Sequence, residues 1–341
     1  MRNAGRAGFL VAIAFIALGC PQGSPPEAPN AAHEEHASEV AFQLPERDLI
    51  PEGMCYDPVG DVFYLGSVRK SKILEITRAG DVRDFATSTD NEIRGFLGMR
   101  VDAERRVLWA NWHQGKTSTG FDPEVRNMTG ISKYDLTTGV LIREYAVEKT
   151  GDNHLFNDVA IAADGTVYIT SFAYGAIYRI DSETNQLEEF LRMPEGVWNN
   201  GIDITPDGRF LFVVGNEKIF RVDLDSDEML NLPVPEGEII GYGDGLYLYD
   251  DDLVAITGHR EGDRVVNRVI RIGLSDEMNR ITGIRVLDRD HPLYAIPTTG
   301  ALAGDELYYI ATAQFDKIDE SGNLAPWEEL SDTIVLRLKL D

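Results

Sequence analysis

The sequence predicts an all-β fold, a six-bladed β-propeller of four-stranded antiparallel blades, on three observations. Apolar residues alternate on either side of a tight turn in six hairpins, which begin near Cys55, Met99, Val159, Ile202, Leu246 and Ala301. The hairpins recur at spacings of roughly 43 to 60 residues, which is typical of a repeat architecture with loop insertions. A second pair of apolar strands follows most of the hairpins, and no amphipathic helix interrupts them. Hairpin plus hairpin makes one four-stranded blade, and six such blades close into a ring.

The first 19 residues have the pattern of a secretory signal peptide. Basic Arg2 and Arg6 precede an apolar run from Phe9 to Leu18, which is too short to remain as a membrane span. Small residues then precede Cys20, as in a bacterial lipobox. We therefore predict an exported bacterial lipoprotein that is anchored to a cell-envelope membrane through an acylated Cys20. An ordinary signal peptide with an incidental cysteine is the alternative.

Residues 20–38 are rich in Pro, Ala and Glu and predict a flexible tether between the lipid and the folded part. Residues 39–341 suffice for one large domain, the propeller. Cys55 is its only cysteine, so no disulfide forms within it. The formal net charge of −25 becomes −27 once Arg2 and Arg6 are removed with the signal. Such a charge disfavours nucleic acid and leaves the lipid as the only membrane contact. We expect a monomer.

One strand at each end of the folded part lacks a hairpin partner. The last blade ends with TIVLRLKL, Thr333 to Leu340, and is one strand short. The segment EVAFQL, Glu39 to Leu44, precedes the first repeat. We predict that this N-terminal strand completes the last blade and removes its exposed edge. An unrelated N-terminal arm is the alternative.

Four of the six hairpins carry a side-chain oxygen at one shared position, eight residues before the turn. The four residues are Glu52, Asn157, Asn200 and Asp244, while Leu97 occupies this position in the second hairpin. The position lies where the chain enters the innermost strand, so the side chains should converge on the central axis at one face. Two carboxylates and two amide oxygens suit Ca²⁺, with another divalent cation possible. Each residue alone is most simply a turn residue, but four at one register are not explained in that way.

On these residues the chain resembles the calcium-dependent six-bladed propellers of the senescence-marker-protein/gluconolactonase family, whose relatives are paraoxonases, diisopropylfluorophosphatase and strictosidine-synthase-like proteins. The resemblance covers Glu39 to the C-terminus, and its matching pieces are Pro51-Glu52-Gly53, Phe156-Asn157-Asp158, Asn200-Gly201 and Asp244-Gly245. It implies a Ca²⁺ ion bound by Glu52, Asn157, Asn200 and Asp244, with Asp244 also as general base or nucleophile. Sugar-lactone members usually carry an arginine where Leu155 stands, which disfavours a polar sugar-acid lactone here.

His113 is the second predicted catalytic residue. It follows the second strand of blade two and resembles the first histidine of the paraoxonase dyad, although no second member is identified. A loop histidine without a catalytic role is an equal alternative. The long loops Trp112–Thr129 and Gln314–Ser331 should rim the metal face, and aromatic residues there indicate a partly apolar pocket. The predicted substrate-binding residues are Trp112, His154, Trp198, Asn199 and Tyr242.

Two classes of function follow from this pattern. The predicted function is Ca²⁺-dependent hydrolysis of a small-molecule lactone or ester. The alternative is a non-catalytic propeller that binds a ligand or a protein and keeps a structural metal. Calcium-dependent turnover across a small panel of lactones and aryl esters distinguishes the two.

Overall fold

A computed structural model describes residues 36–87, 93–121, 128–148 and 154–341. The predicted signal peptide, the predicted acylation site Cys20 and residues 21–35 of the predicted tether lie outside the described residues. Within the described part, one compact unit extends from His36 to Asp341. No helix in the described ranges is long and apolar enough to cross a membrane.

The described residues form six antiparallel sheets of four strands each, so the predicted six-bladed propeller is confirmed. Blade one contains β2 (Pro51–Asp57), β3 (Val62–Ser67), β4 (Lys72–Thr77) and β5 (Val82–Thr87). Blade two contains β6 (Gly95–Asp102), β7 (Val107–His113), β8 (Met128–Asp135) and β9 (Leu141–Glu148). Blade three contains β10 (Phe156–Ile161), β11 (Val167–Ser171), β12 (Ala176–Ile180) and β13 (Leu187–Arg192). Blade four contains β14 (Asn199–Ile204), β15 (Phe210–Gly215), β16 (Lys218–Asp223) and β17 (Glu228–Asn231). Blade five contains β18 (Tyr242–Tyr249), β19 (Asp252–Glu261), β20 (Arg264–Leu274) and β21 (Ile281–Arg289).

Blade six is built from both ends of the folded unit, as the sequence predicts. Its strands are β22 (Gly300–Leu302), β23 (Glu306–Ile310), β24 (Thr333–Lys339) and the outer strand β1 (Glu39–Leu44). Antiparallel pairing of β1 with β24 sets Glu39 opposite Arg337 and Leu44 opposite Thr333. Two single-turn 3₁₀ helices, Phe315–Lys317 and Trp327–Glu329, interrupt the loop between β23 and β24. The N-terminal strand therefore covers what would otherwise be an open sheet edge.

The hydrophobic core lies between neighbouring blades, because successive residues of a strand face opposite sides of the sheet. In β10, Val159 packs with Trp109 of blade two, whereas Ala160 packs with Ile202 of blade four. The seam between blades six and one is filled in the same way, with Phe42 of β1 in one cluster with core residues of both blades. The packing of each blade thus fixes the position of its inner strand around the axis.

Candidate metal centre

The inner strands of blades one to five each carry a β-bulge at the predicted ligand position. In blade one, for example, Pro51 pairs with Ser67 and the next paired residue is Met54, opposite Leu65. One extra residue therefore stands in the inner strand at this point, and such a bulge redirects side chains out of the regular pleat. The residues within the five bulges are Glu52-Gly53, Leu97-Gly98, Asn157-Asp158, Asn200-Gly201 and Asp244-Gly245. The shared register of the sequence is thus a shared backbone feature.

Glycine follows the ligand position in four of these five bulges, and at three of these glycines a neighbouring inner strand lies in contact. A Cβ on Gly53 would overlap the carbonyl oxygen of Leu97 in blade two, and a Cβ on Gly201 would overlap that of Asp244 in blade five. Only glycine permits this close approach. The contact brings the ligand positions of adjacent blades side by side. Three of these glycines are among the matching pieces of the sequence resemblance, but the close approach of the strands that requires them was not predicted.

Asp158 replaces the glycine in blade three and bridges to blade four instead. Its Oδ2 accepts a hydrogen bond from the Ile202 backbone N–H at 3.3 Å, and its Oδ1 accepts one from the Val159 N–H at 2.9 Å. Burial nevertheless raises the pKa of Asp158 to about 6, against the opposing charge of Arg100. The polar layer around the axis therefore contains a third carboxyl group, which sequence reasoning did not assign.

The structure brings the four predicted ligands together. The Asn157 amide Nδ2 donates to Oδ1 of Asn200, and the side chain of Asn200 in turn hydrogen-bonds the Asp244 carboxyl group. Asp244 and Glu52 are close enough to repel each other. Glu52 and Asn157 are buried. We call these four residues the ligand ring.

Two oxygens of the ligand ring are buried with no hydrogen-bond partner among the residues that the structure describes: Oε2 of Glu52 and Oδ1 of Asp244. Burial, reinforced by the charges of Asp244 and Asp158, raises the pKa of Glu52 well above its ordinary range. Burial and the charge of Asp158 raise the pKa of Asp244 to about 7, although the hydrogen bond from Asn200 opposes this shift. Unpaired buried carboxylates are costly, and a hard divalent cation held by oxygen ligands would offset that cost.

The amides are essential to this donor set. The described ranges contain no group of three or more His, Cys, Asp and Glu side chains arranged to hold an ion. The ligand ring instead combines two carboxylates with two amide oxygens. Oxygen donors of this kind suit Ca²⁺ and do not favour softer metals such as Zn²⁺.

A second polar layer lies in the channel beneath the ligand ring. It consists of the residues three positions after the ligand position in blades one, two, four and five, which is occupied by Leu97 in blade two: Cys55, Arg100, Asp203 and Tyr247. Cys55, Arg100 and Tyr247 line a cavity of about 70 Å³, together with Asp158. Burial raises the pKa of the Cys55 thiol, so this cysteine is a protonated, unreactive group. Arg100 forms an ion pair with Asp203, with 3.3 Å between Nη2 and Oδ1. We call these residues the channel layer.

Two predicted substrate-binding residues are directed into the protein interior. Trp112 is 2% exposed and belongs to the core between blades one and two, with the Arg94 guanidinium 5.5 Å from its ring centroid. Asn199 is fully buried, and its Nδ2 donates to the Ala176 carbonyl at 2.8 Å. Neither side chain therefore lies on an exposed rim, and the role of both residues in substrate binding stays a prediction. Each stands next to a bulge, where the side-chain direction cannot be deduced from strand alternation alone.

The other predicted site residues lie at the ends of the inner hairpin strands, or one or two residues outside them. His154 is buried, with its ring centroid 3.8 Å from that of Tyr174. Trp198 and Tyr242 are about half exposed, at 56% and 49%. His113 ends β7 and is buried, with Nε2 at 3.5 Å from the hydroxyl of Thr117 in the loop that follows. Its catalytic role stays a prediction.

The two long loops predicted to rim the metal face contact each other. Lys116 donates to the Glu320 carbonyl at 2.7 Å, and Arg69 of blade one donates to the carbonyls of Thr117 and Gly322 at 3.3 and 3.2 Å. Residues 122–127 of the first loop lie outside the described residues. The described parts of the two loops thus form one continuous wall.

One side of the ligand ring is apolar. Leu97, which occupies the ligand position in blade two, is fully buried and clusters with Val68 and Leu155. Phe172 and Phe315 pack against this cluster and are only partly buried. We call these five residues the apolar wall. Leu155 therefore contributes hydrocarbon surface at the position where a sugar-lactone enzyme would have a cationic side chain.

Comparison with known proteins shows the propeller fold, but it does not show an activity, a substrate or a cofactor. No protein-family model matches the chain, and no curated protein sequence matches it. A gluconolactonase from Xanthomonas campestris superimposes with a TM-score of 0.57 at 14% identity, covering 94% of this chain and 96% of that one. The allergen Mala s 1 of Malassezia sympodialis gives 0.61 at 16%, covering 89% and 96%. Virginiamycin B lyase from Staphylococcus aureus gives 0.54 at 16%, covering 78% and 79%. The propeller fold agrees with the resemblance found in the sequence.

Proposed function

We propose that this protein is a hydrolase of lactones or esters that depends on a divalent cation, and that this cation is Ca²⁺. The observation that carries the proposal is the pair of unpartnered, buried carboxylate oxygens on Glu52 and Asp244, beside the amides of Asn157 and Asn200. A protein that only needed stability would gain by pairing or removing these carboxylates. Their retention at the mouth of the channel supports a ligand-binding role.

The ligand ring can supply both binding and proton transfer. When bound, Ca²⁺ would polarise a carbonyl oxygen of the substrate. Oδ1 of Asp244 lacks a hydrogen-bond partner, so it is available to accept a proton from an attacking water molecule. The pKa of Asp244, about 7 without a cation, would be lowered by the positive charge of a bound ion, which keeps this base ionised.

The apolar wall supports a substrate with a hydrocarbon substituent. Leu97 and Leu155 present no hydrogen-bonding group that could satisfy the hydroxyls of a sugar acid. Phe172 lies 5.8 Å from Trp198 between ring centroids, and together they extend the apolar surface towards solvent. We propose alkyl-substituted lactones and aryl esters as the substrate class.

The proposal is tested with chelator-treated protein and a panel of substrates. We expect added calcium to restore turnover of a γ-lactone with an alkyl chain and of phenyl acetate, and to give much less turnover of gluconolactone. Leu155→Arg should reduce the preference for the alkyl lactone, whereas Val234→Arg, a change at an exposed loop residue, should not. If calcium raises the melting temperature without producing turnover of any substrate, the protein is a binding propeller with a structural metal.

We also propose that the protein is held at the cell envelope by a lipid on Cys20. Cys20→Ser should release it from the membrane fraction while leaving its circular-dichroism spectrum unchanged. A wild-type protein recovered entirely in the soluble periplasmic fraction would contradict the anchor.

A further inference from the structure

Arg100 crosses the channel directly beneath the ligand ring. From β6 of blade two, its Nε donates to the Val159 carbonyl in blade three at 3.3 Å, and its Nη2 donates to the Ile202 carbonyl in blade four at 3.3 Å. Val159 and Ile202 are the residues at which regular pairing resumes after the bulges of Asn157 and Asn200. One guanidinium group thus contacts the base of two ligand-bearing bulges.

Asp203 extends this connection to blade five. Its Oδ1 lies 3.3 Å from Nη2 of Arg100, and its Oδ2 accepts a hydrogen bond from the Leu248 backbone N–H at 2.8 Å. Leu248 lies four residues after Asp244 on the same inner strand. Through Arg100 and Asp203, the inner strands of blades two to five are joined across the channel by charge-assisted hydrogen bonds.

The contacts and the charge of Arg100 would affect cation binding in opposite directions. Burial opposes its charge, but Asp203 and Asp158 outweigh this and raise the pKa of Arg100 above its ordinary range. A permanent positive charge near the ligand ring repels a cation, so removing it should tighten cation binding on electrostatic grounds. If the contacts of Arg100 instead hold the ligands in place, removing them should weaken binding. The sign of the change therefore separates the two roles.

We infer that Arg100 is a positioning residue for the ligand ring. It sets the separation of the bulges in blades three and four, so that Asn157 and Asn200 can share one cation with Glu52 and Asp244. The inference rests on the proposed function in so far as the ring holds a divalent cation. Arg100 is not one of the proposed ligands, and it acts through its contacts with Val159, Ile202 and Asp203.

The test compares Arg100 with Arg105, a matched arginine on the same blade. Arg105 also forms an ion pair, with Asp102 at 3.2 Å, and also donates to a blade-three carbonyl, that of Ala163 at 2.9 Å, but it lies at the far end of the hairpin. Calcium titration calorimetry on chelator-treated protein should show that Arg100→Met raises the Kd about tenfold or more, since two or three charge-assisted bonds are lost. Arg105→Met should change it by less than about twofold.

Two further variants refine the result. Arg100→Lys keeps the charge but cannot reach two blades at once, so we expect it to restore only part of the affinity. Arg100→Gln also removes the charge and keeps at most part of the hydrogen bonds, so it should weaken binding as well, and it serves as the test if the methionine variant does not fold. Unchanged or tighter calcium binding in Arg100→Met and Arg100→Gln would overturn the positioning role.

Crystal structures of the metal-free proteins separate this inference from the proposed function. If the wild type binds no divalent cation, the proposed function fails, and the positions of the bulges then decide the role of Arg100. Displacement of Asn157 relative to Asn200 in Arg100→Met would support the positioning role. Bulges that superimpose on those of the wild type would overturn it.

Discussion

Glu52 and Asp57 are two buried acids on one strand, β2, and the fold treats them in opposite ways. Both oxygens of Asp57 accept hydrogen bonds from the Arg106 guanidinium of blade two, at 2.6 and 2.7 Å. Burial alone would raise the pKa of Asp57, but Arg106 and backbone amides lower it below the ordinary value. Glu52 has no such cation, one of its oxygens has no partner, and its pKa is raised. The fold supplies a cationic side chain to the buried acid Asp57. The unpaired acids of the ligand ring therefore point to a ligand.

The largest effect expected from this contrast is on turnover. Asp244→Asn keeps the size and one oxygen of the side chain but removes the proposed base, so activity at saturating calcium should fall by a factor of about 10² to 10⁴. Asn200→Ala removes one ligand and leaves Asp244 intact. Its activity should largely recover as calcium is raised, in steady-state assays on a responsive lactone. Wild-type turnover by Asp244→Asn at saturating calcium would show that Asp244 is only a ligand, and His113 would become the first candidate for the base.

The second expected effect is on stability without a cation. Asp57→Asn leaves Arg106 without its carboxylate partner and should cost about 3 kcal/mol of unfolding free energy, whether or not calcium is present. Glu52→Gln removes one of two repelling carboxylates, so in chelator it should be at least as stable as the wild type. It should lose most of the stabilisation that calcium gives the wild type by linkage.

Denaturant unfolding with calcium and with chelator measures both variants. If Glu52→Gln destabilised the chelated protein as much as Asp57→Asn does, the expected difference between the two acids would be contradicted. An equal gain in unfolding free energy from calcium in the two variants would contradict it as well.

A smaller effect is expected in the pH dependence of the metal-free protein. The pKa of Asp244 is raised from its ordinary value to about 7, so its contribution to stability is full below about pH 4 and is lost as the pH rises towards 7. Asp57 has a lowered pKa, so its contribution is present above its ordinary pKa and is lost as the pH falls below it. Between pH 4 and 7, chelated Asp244→Asn should therefore show a flatter melting-temperature profile than the wild type. Parallel profiles would mean that the pKa of Asp244 is not raised in the folded protein.

The fold could be predicted from the sequence because most of its strands follow from local patterns, and the closure of the ring follows from the number of strands in the last blade. Alternating apolar residues specify every inner hairpin, and the missing strand of the last blade leaves one place for Glu39–Leu44. The convergence of the four side chains was predictable because they repeat at one register, whereas their role as ligands stays a prediction. The directions of Trp112 and Asn199 were not predictable, since the shift of one residue in a bulge moves neighbouring side chains to another face. The Arg100–Asp203 pair joins blades that are distant in sequence, and no local pattern marks such a contact.

The closure of blade six has a consequence for how the chain folds. Glu39 of β1 pairs with Arg337 of β24, 298 residues further along, and their side chains form an ion pair within blade six. Hairpins within a blade can form as the nascent chain emerges, whereas this long-range pairing must await the final strand. Until then β1 and β23 each offer an unpaired edge to other chains. The pairing of β24 with β1 and β23 thus decides whether the propeller closes on itself or its open strands aggregate with other chains.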